Sequence, residues 1–304
     1  GDGAPPPQAR GSDGAARLAE VAGARLSAAE SADYYPTGEA WRAPFLANLA
    51  AAEHEIFLEY YIVAEGVLWG EILRILRERA ACGVRVNLLF DAFGCALTLP
   101  ARFVREMRGA GICAKPFRAL AAQSGHTMAA AALSDDAEGR APRAFARLLH
   151  ELCGRAEKRL WLFTPYLVPD SATMRALMRA AAGGTDVRVA VPYIADKRAV
   201  YLLSKRCACI LERGGVQVRA YRAGFLHAKS AVCDGLYSLV GSWNLDCRSL
   251  YAQAECGALV EDARLAADLE RDFEQTWVQS APVTKARGTE KLRAALLLPF
   301  YALI

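Results

Sequence analysis

Metal-ligand spacing is missing from this chain: its nine cysteines form no CxxC pair, and its four histidines do not cluster with them. An odd, scattered cysteine count builds neither a zinc site nor a disulfide framework, so the thiols read as reduced. Long apolar runs are also missing. The longest, Ala294 to Ile304, has 11 residues and is interrupted by Pro299, whereas a spanning helix needs about 20. Charge of one sign is scarce too, with 37 Lys plus Arg against 33 Asp plus Glu, a net +4. That excess is too mild to argue for nucleic acid. The chain opens at Gly1 rather than Met, which leaves an upstream signal or anchor open.

Apolar material is plentiful, at 54% of 304 residues, enough for one large core or two ordinary ones. Residues 1–33 begin with Gly, Pro, Ala and Asp, as in Ala4-Pro5-Pro6-Pro7. They read as a flexible lead, with a short helix over Arg17 to Leu26, where Leu18, Val21, Ala22 and Leu26 recur at helical spacing.

From there the chain repeats itself. Glu53-His54-Glu55-Ile56-Phe57-Leu58-Glu59-Tyr60-Tyr61-Ile62-Val63 resembles Glu157-Lys158-Arg159-Leu160-Trp161-Leu162-Phe163-Thr164-Pro165-Tyr166-Leu167-Val168, and each reads as a buried strand. Apolar residues at helical spacing follow in both, Leu68, Ile72, Ile75 and Leu76 in one and Met174, Leu177 and Met178 in the other, ending at Gly83 and at Gly183-Gly184. Second strands, Val84 to Phe90 and Val187 to Val191, complete two strand–helix–strand units. The offset is 104 residues at the first strand (53 to 157) and 103 at the second (86 to 189), which indicates duplication. The fold class is therefore α/β, with two duplicated lobes, each a mixed, mostly parallel sheet flanked by helices. The expected division is 1–33, lead; 34–141, first lobe; 142–280, second lobe; 281–304, apolar tail.

Beyond a shared glycine turn, Gly109 to Gly111 and Gly214-Gly215, the copies diverge, and the second carries the chemistry. It reads Phe225-Leu226-His227-Ala228-Lys229, then Asp234-Gly235, then Gly241-Ser242-Trp243-Asn244, with Glu255 further on. On a strand, His227 and Lys229 share a face. These types suit a phosphodiester: a neutral imidazole attacks phosphorus, Lys229 and Asn244 hold the non-bridging oxygens, and Ser242 donates another hydrogen bond. Glu255 is placed to orient the histidine, and Asp234 to brace the motif. The side chains supply the positive charge themselves, so no metal or cofactor is required.

At these residues the sequence resembles the phospholipase D superfamily, whose pattern HxKx4Dx6GSxN is matched in full by His227, Lys229, Asp234, Gly241, Ser242 and Asn244. Across residues 34 to 278 it is similar to bacterial cardiolipin synthases, as in Tyr34-Tyr35-Pro36, Thr164-Pro165-Tyr166-Leu167-Val168-Pro169-Asp170 and Gly241 to Leu250. The resemblance implies two α/β lobes meeting at one active site. It implies phosphatidyl transfer through a phosphohistidine, with one motif's histidine attacking and the other's protonating the leaving alcohol. The catalytic group would be His227, Lys229, Asp234 and Glu255, with Ser242 and Asn244 on the phosphate. Anionic phospholipid such as phosphatidylglycerol is the implied substrate, and the cytoplasmic face of a bacterial inner membrane the implied peripheral location.

The first copy departs from this pattern. Aligning Arg118 with Arg222 brings Gly125-His126-Thr127-Met128 opposite Leu226-His227-Ala228-Lys229, so the lysine has become Met128. Seven residues after His126 stands Leu133 rather than aspartate, and no GSxN follows before Pro142. The first lobe is thus expected to be shortened by about two strands. Three readings stay open: two chains pair as a homodimer, as single-motif nucleases of the superfamily do; His126 serves as a solitary acid; or the protein is catalytically dead. The Ala, Gly, Ser and Thr around His126 favour a solvated loop histidine.

Other candidates carry plainer meanings beside functional ones. His54 and His150 read as surface residues, and Glu59 and Asp91 at strand ends as caps or ion pairs. Tyr166 and Asp170 are candidates for the substrate mouth, and Arg248 for pairing with Asp246 or holding a second phosphate. Lys197, Arg198, Lys205 and Arg206 form a basic stretch that faces either solvent or anionic headgroups. The tail from Lys291 either dips into a bilayer interface or docks on its own lobe.

Overall fold

The structure is a computed structural model. It describes residues 12–297 apart from 25, 28, 30, 93, 118–131, 135–143, 252–254 and 285–287. One unit spans residues 35–123, and the other combines residues 1–34 with 124–304.

The chain begins its described part with helix α1 (Asp13–Ala22), capped by the Ser12 hydroxyl, which accepts from Ala15 N, and closed by Gly23 at φ 68°. Leu18 is fully buried in the core of the larger unit. Residues 13–22 thus differ from the expected flexible lead, because Leu18, Ala19 and Ala22 make one apolar stripe with somewhere to pack.

The smaller unit follows as α2 (Gly38–Ala51), β1 (Glu55–Tyr60), α3 (Val67–Ala81), β2 (Arg85–Asp91), α4 (Phe103–Gly109) and β3 (Ile112–Phe117). Its sheet is parallel in the order β1-β2-β3, with Ile56 opposite Val86 and Val86 opposite Ile112. Ile72, Ile75 and Leu76 of α3 close its core.

The larger unit contains β4 (Ala132–Ser134), α5 (Ala144–Arg155), β5 (Arg159–Phe163), β6 (Leu167–Val168), α6 (Ser171–Ala182), β7 (Asp186–Pro192), α7 (Arg198–Arg213) and β8 (Gln217–Tyr221). It continues with β9 (Ser230–Cys233), β10 (Tyr237–Gly241), β11 (Leu245–Asp246), α8 (Cys247–Tyr251), β12 (Cys256–Glu261), α9 (Ala263–Val278), β13 (Ser280–Pro282) and α10 (Gly288–Leu297). Its main sheet runs β13-β8-β7-β5-β9-β10-β12-β4, and a small parallel pair joins β11 to β6. Within that main sheet, parallel pairing is confined to β5, β7 and β8, and antiparallel pairings outnumber it, so the larger unit is mixed with less parallel character than expected.

The duplication is visible in backbone conformation. Gly83 and Gly184 both turn at positive φ (88° and 98°), as do Gly111 and Gly215 (77° and 89°), where a side chain would be strained. Each unit therefore has the same β-α-β-α-β frame, and the larger one adds the antiparallel strands bearing the motif. Residues 132–134, expected in the first lobe, add an edge strand to the larger unit's sheet. The tail's helix α10 docks on its own lobe: Glu290 pairs with Lys205 of α7 at 3.4 Å, and Leu297 packs near Val200 and Leu203.

Candidate active site

Strands β9, β10 and β12 assemble the site by backbone pairing. Gly241 N donates to Lys229 O (3.0 Å), Ser242 N to Cys256 O (2.8 Å), and Cys256 N to Ser242 Oγ (3.0 Å). The strands cross closely enough to require glycine: a Cβ on Gly241 would lie 2.6 Å from Cys256 O, and one on Gly257 2.9 Å from Val240 O. Buried Trp243 stacks on Phe145 at 5.7 Å and anchors the turn between Ser242 and Asn244.

His227 and Lys229 lie just ahead of β9 rather than within a strand. They still share a side, with Lys229 Nζ 2.9 Å from His227 Nδ1 and 2.8 Å from the His227 carbonyl oxygen. An ammonium only donates, so it occupies the Nδ1 lone pair and leaves the ring proton on Nε2. The ring reaches solvent between Phe225, stacked at 5.4 Å, and the edge of Tyr166 at 6.4 Å. Partial burial lowers the His227 pKa, Lys229 and Lys197 push the same way, and Asp196 opposes them. The imidazole is accordingly neutral at neutral pH. Burial brings Lys229 down to about 8, against the pull of Glu255, Asp246 and Asp196.

Glu255 does not meet the expectation that it orients His227. Its Oε2 accepts from Ser242 Oγ at 2.5 Å, and it also bonds Ser249, while Lys229 already holds His227 Nδ1. Register sets Cys256 opposite Ser242, and Glu255, immediately before β12, reaches the Ser242 hydroxyl from the adjoining position. Burial raises the Glu255 pKa, and the bonds from Ser242 and Ser249 counter it. Ser242, expected on the phosphate, spends its hydroxyl on Glu255. Asn244 donates its amide to Ser249 Oγ at 3.1 Å, and its Oδ1 is buried without a hydrogen-bond partner.

Asp234, grouped with the catalytic residues by resemblance, is a structural brace. Its carboxylate accepts from the backbone N–H groups of Glu157, Lys158 and Arg159 at 2.9, 2.9 and 2.8 Å, in the left-handed turn (φ 54°) between β9 and β10. His126 lies outside the described residues, with Arg118 and Met128. Tyr166 comes to the site, its hydroxyl bonding Asp196 and Lys197 Nζ lying 5.0 Å from its ring. Asp170 instead caps α6 and accepts from Tyr251.

The remaining candidates fall elsewhere. Arg248 is exposed and makes no ion pair with Asp246, whose carboxylate accepts from Ser249 N at 2.7 Å. Asp91 closes a turn through Gly94 N, and Glu59 and His54 are exposed. His150 is half-buried on Thr173 rather than a surface residue. Lys205 is buried against Glu290, so the basic stretch is not one face. Asp196, Lys197 and Phe225 were missed as neighbours of the site. The position of Asp196 and Lys197 after β7 was a usable signal, because α/β sheets gather ligands beyond the carboxyl ends of parallel strands. Among the described residues no cluster of three metal-ligating side chains occurs, and no helix is long and apolar enough to cross a membrane.

Residues 149–277, which contain every motif residue from His227 to Glu255, match the family described as cardiolipin synthase, PLD-like domain. Cardiolipin synthase A of Pseudomonas aeruginosa is 27% identical, over 81% of this chain and 67% of that protein. An uncharacterized protein of Streptococcus mutans is 28% identical over 87% of this chain and 76% of its own length. Among solved structures, phosphatidylserine synthase of Haemophilus influenzae shares the fold at a TM-score of 0.64 and 13% identity, covering 96% of this chain and 98% of that one. Residues 149–277 thus carry a match to the PLD-like domain, and the fold is shared with a phosphatidylserine synthase. The chain is similar to cardiolipin synthases over most of its length.

Proposed function

We propose that the chain transfers a phosphatidyl group between phospholipids, forming cardiolipin from phosphatidylglycerol, with His227 as the nucleophile. The observation that carries this reading is the Lys229 ammonium 2.9 Å from the ring nitrogen of a solvent-reachable, neutral imidazole. When a phosphodiester enters, Lys229 turns its hydrogen bonds to a non-bridging oxygen and frees Nδ1 for the ring proton. Nε2 then attacks phosphorus as the bond to glycerol breaks, and the hydroxyl of a second lipid later displaces the histidine. Lys229 stabilises the charge of both transition states, Ser242 and Glu255 hold the strand ends that position it, and Asp234 fixes the turn behind them.

The acid for the leaving glycerol is His126 or the His227 of a second copy. In this reading the protein works peripherally, on the cytoplasmic face of a bacterial inner membrane. The test is incubation with phosphatidylglycerol vesicles while cardiolipin and glycerol are followed. Wild type forms both, His227→Ala forms neither, and His126→Ala separates the two sources of acid. Equal product from wild type and His227→Ala would overturn the reading.

A further inference from the structure

Large apolar side chains stand in solvent beside His227. In the loop after β7, Tyr193 is 42% and Ile194 53% exposed; in the loop after β8, Phe225 is 43% exposed. The two loops are tied together. Tyr193 N donates to Tyr221 O at 3.0 Å, and the Arg222 guanidinium lies 4.8 Å from the Tyr193 ring. Phe225 stacks on His227, which meets Tyr166, which carries Lys197 over its ring. Lys197, Arg198 and Arg222 are all exposed. Asp196 is the acid within these loops, and its carboxylate is taken by the Tyr166 hydroxyl and the Lys197 backbone N–H.

Apolar and aromatic tips ringed by cations are expensive to leave in water and suit the interface of an anionic bilayer, where rings sit at headgroup level and basic side chains meet phosphate. A second copy on this face is an outcome of the test, read from the sedimentation state of the protein. We propose that this rim docks the protein onto an anionic phospholipid surface, so that headgroup phosphodiesters reach His227 without leaving the interface. The proposal rests on the phosphatidyl-transfer reading for its purpose, though vesicle binding is separable from chemistry.

The experiment is co-sedimentation of the full chain with vesicles of phosphatidylglycerol and phosphatidylcholine, alongside hydrolysis of a water-soluble p-nitrophenyl phosphodiester. The double variant Ile194→Asp/Arg198→Glu is expected to lower vesicle partition by about tenfold or more, with soluble-ester hydrolysis and circular dichroism unchanged. Val278→Asp, at an exposed apolar site on α9 (82%), is expected to leave partition unchanged. Unchanged partition in the double variant, an equal loss in Val278→Asp, or a loss explained by a changed sedimentation state would each overturn the proposal. If wild type binds through the rim but cleaves no phosphodiester, docking stands and the transfer reading fails.

Discussion

Lys229 offers the sharpest test of how the site works. Burial brings its ammonium from the ordinary 10.5 to about 8, and the charged form is the one that serves a phosphate. Below that value the ammonium is intact; above it the site loses charge as pH rises. A single titration makes activity fall about tenfold per pH unit beyond the pKa, whereas an ordinary lysine would hold its charge about two units further. Lys229→Arg keeps the charge throughout, since a guanidinium does not titrate in this range, and should move the alkaline limb up and out of view. Lys229→Met should lower the rate by about 10²–10³-fold, or about 3–4 kcal/mol, typical of removing a preorganised transition-state donor. On the acid side activity should persist to below the usual histidine range, because the His227 pKa is lowered. The assay is the initial rate on a p-nitrophenyl phosphodiester, whose phenolate leaves without needing a proton, from about pH 5.5 to about pH 10. A wild-type rate flat across the alkaline range would refute the reasoning, as would a limb near 8 that persists in Lys229→Arg.

The structural claims are testable by thermal or denaturant unfolding. Asp234→Ala removes three charge-assisted bonds to the start of β5 and should cost about 2–4 kcal/mol, with activity per folded molecule preserved; a stable but inactive variant would return Asp234 to the catalytic group. Gly241→Ala forces a methyl against the Cys256 carbonyl; the expected cost is about 1–3 kcal/mol together with lost activity as Ser242 is displaced, and a neutral outcome would contradict the close crossing of β10 and β12. Leu18→Ala should cost about 2–5 kcal/mol because α1 is part of the core, whereas a flexible lead would make it neutral.

Periodicity exposed much of this molecule. The strand, helix and glycine pattern of both copies was readable because buried strands and amphipathic helices leave strong local signals, and the motif was readable because its spacing is rigid. Pairings made across the sheet were not readable. Chemical type points Glu255 at His227, yet the pairing of β10 with β12 brings its side chain to the Ser242 hydroxyl. Two-residue alternation put His227 and Lys229 on one face for the wrong reason, since both lie ahead of β9 and are held together by the Lys229 hydrogen bonds. The α1 stripe was visible as a helix but not as core, because burial depends on the partner surface formed by α5 more than a hundred residues later. The same limit applied to the tail, whose basic and apolar mixture suited a bilayer as well as α7, until Glu290 and Lys205 were found together.

The central claim is a covalent bond between phosphorus and His227, and the most direct measurement traps it. The protein is mixed with labelled phosphatidylglycerol, quenched in detergent at alkaline pH to preserve a phosphoramidate, and digested for mass spectrometry. The account predicts a phosphatidyl adduct on the peptide containing His227, missing in His227→Ala and accumulating when acceptor lipid is withheld. Product formation with no adduct on that peptide, or an adduct on another residue, would contradict it.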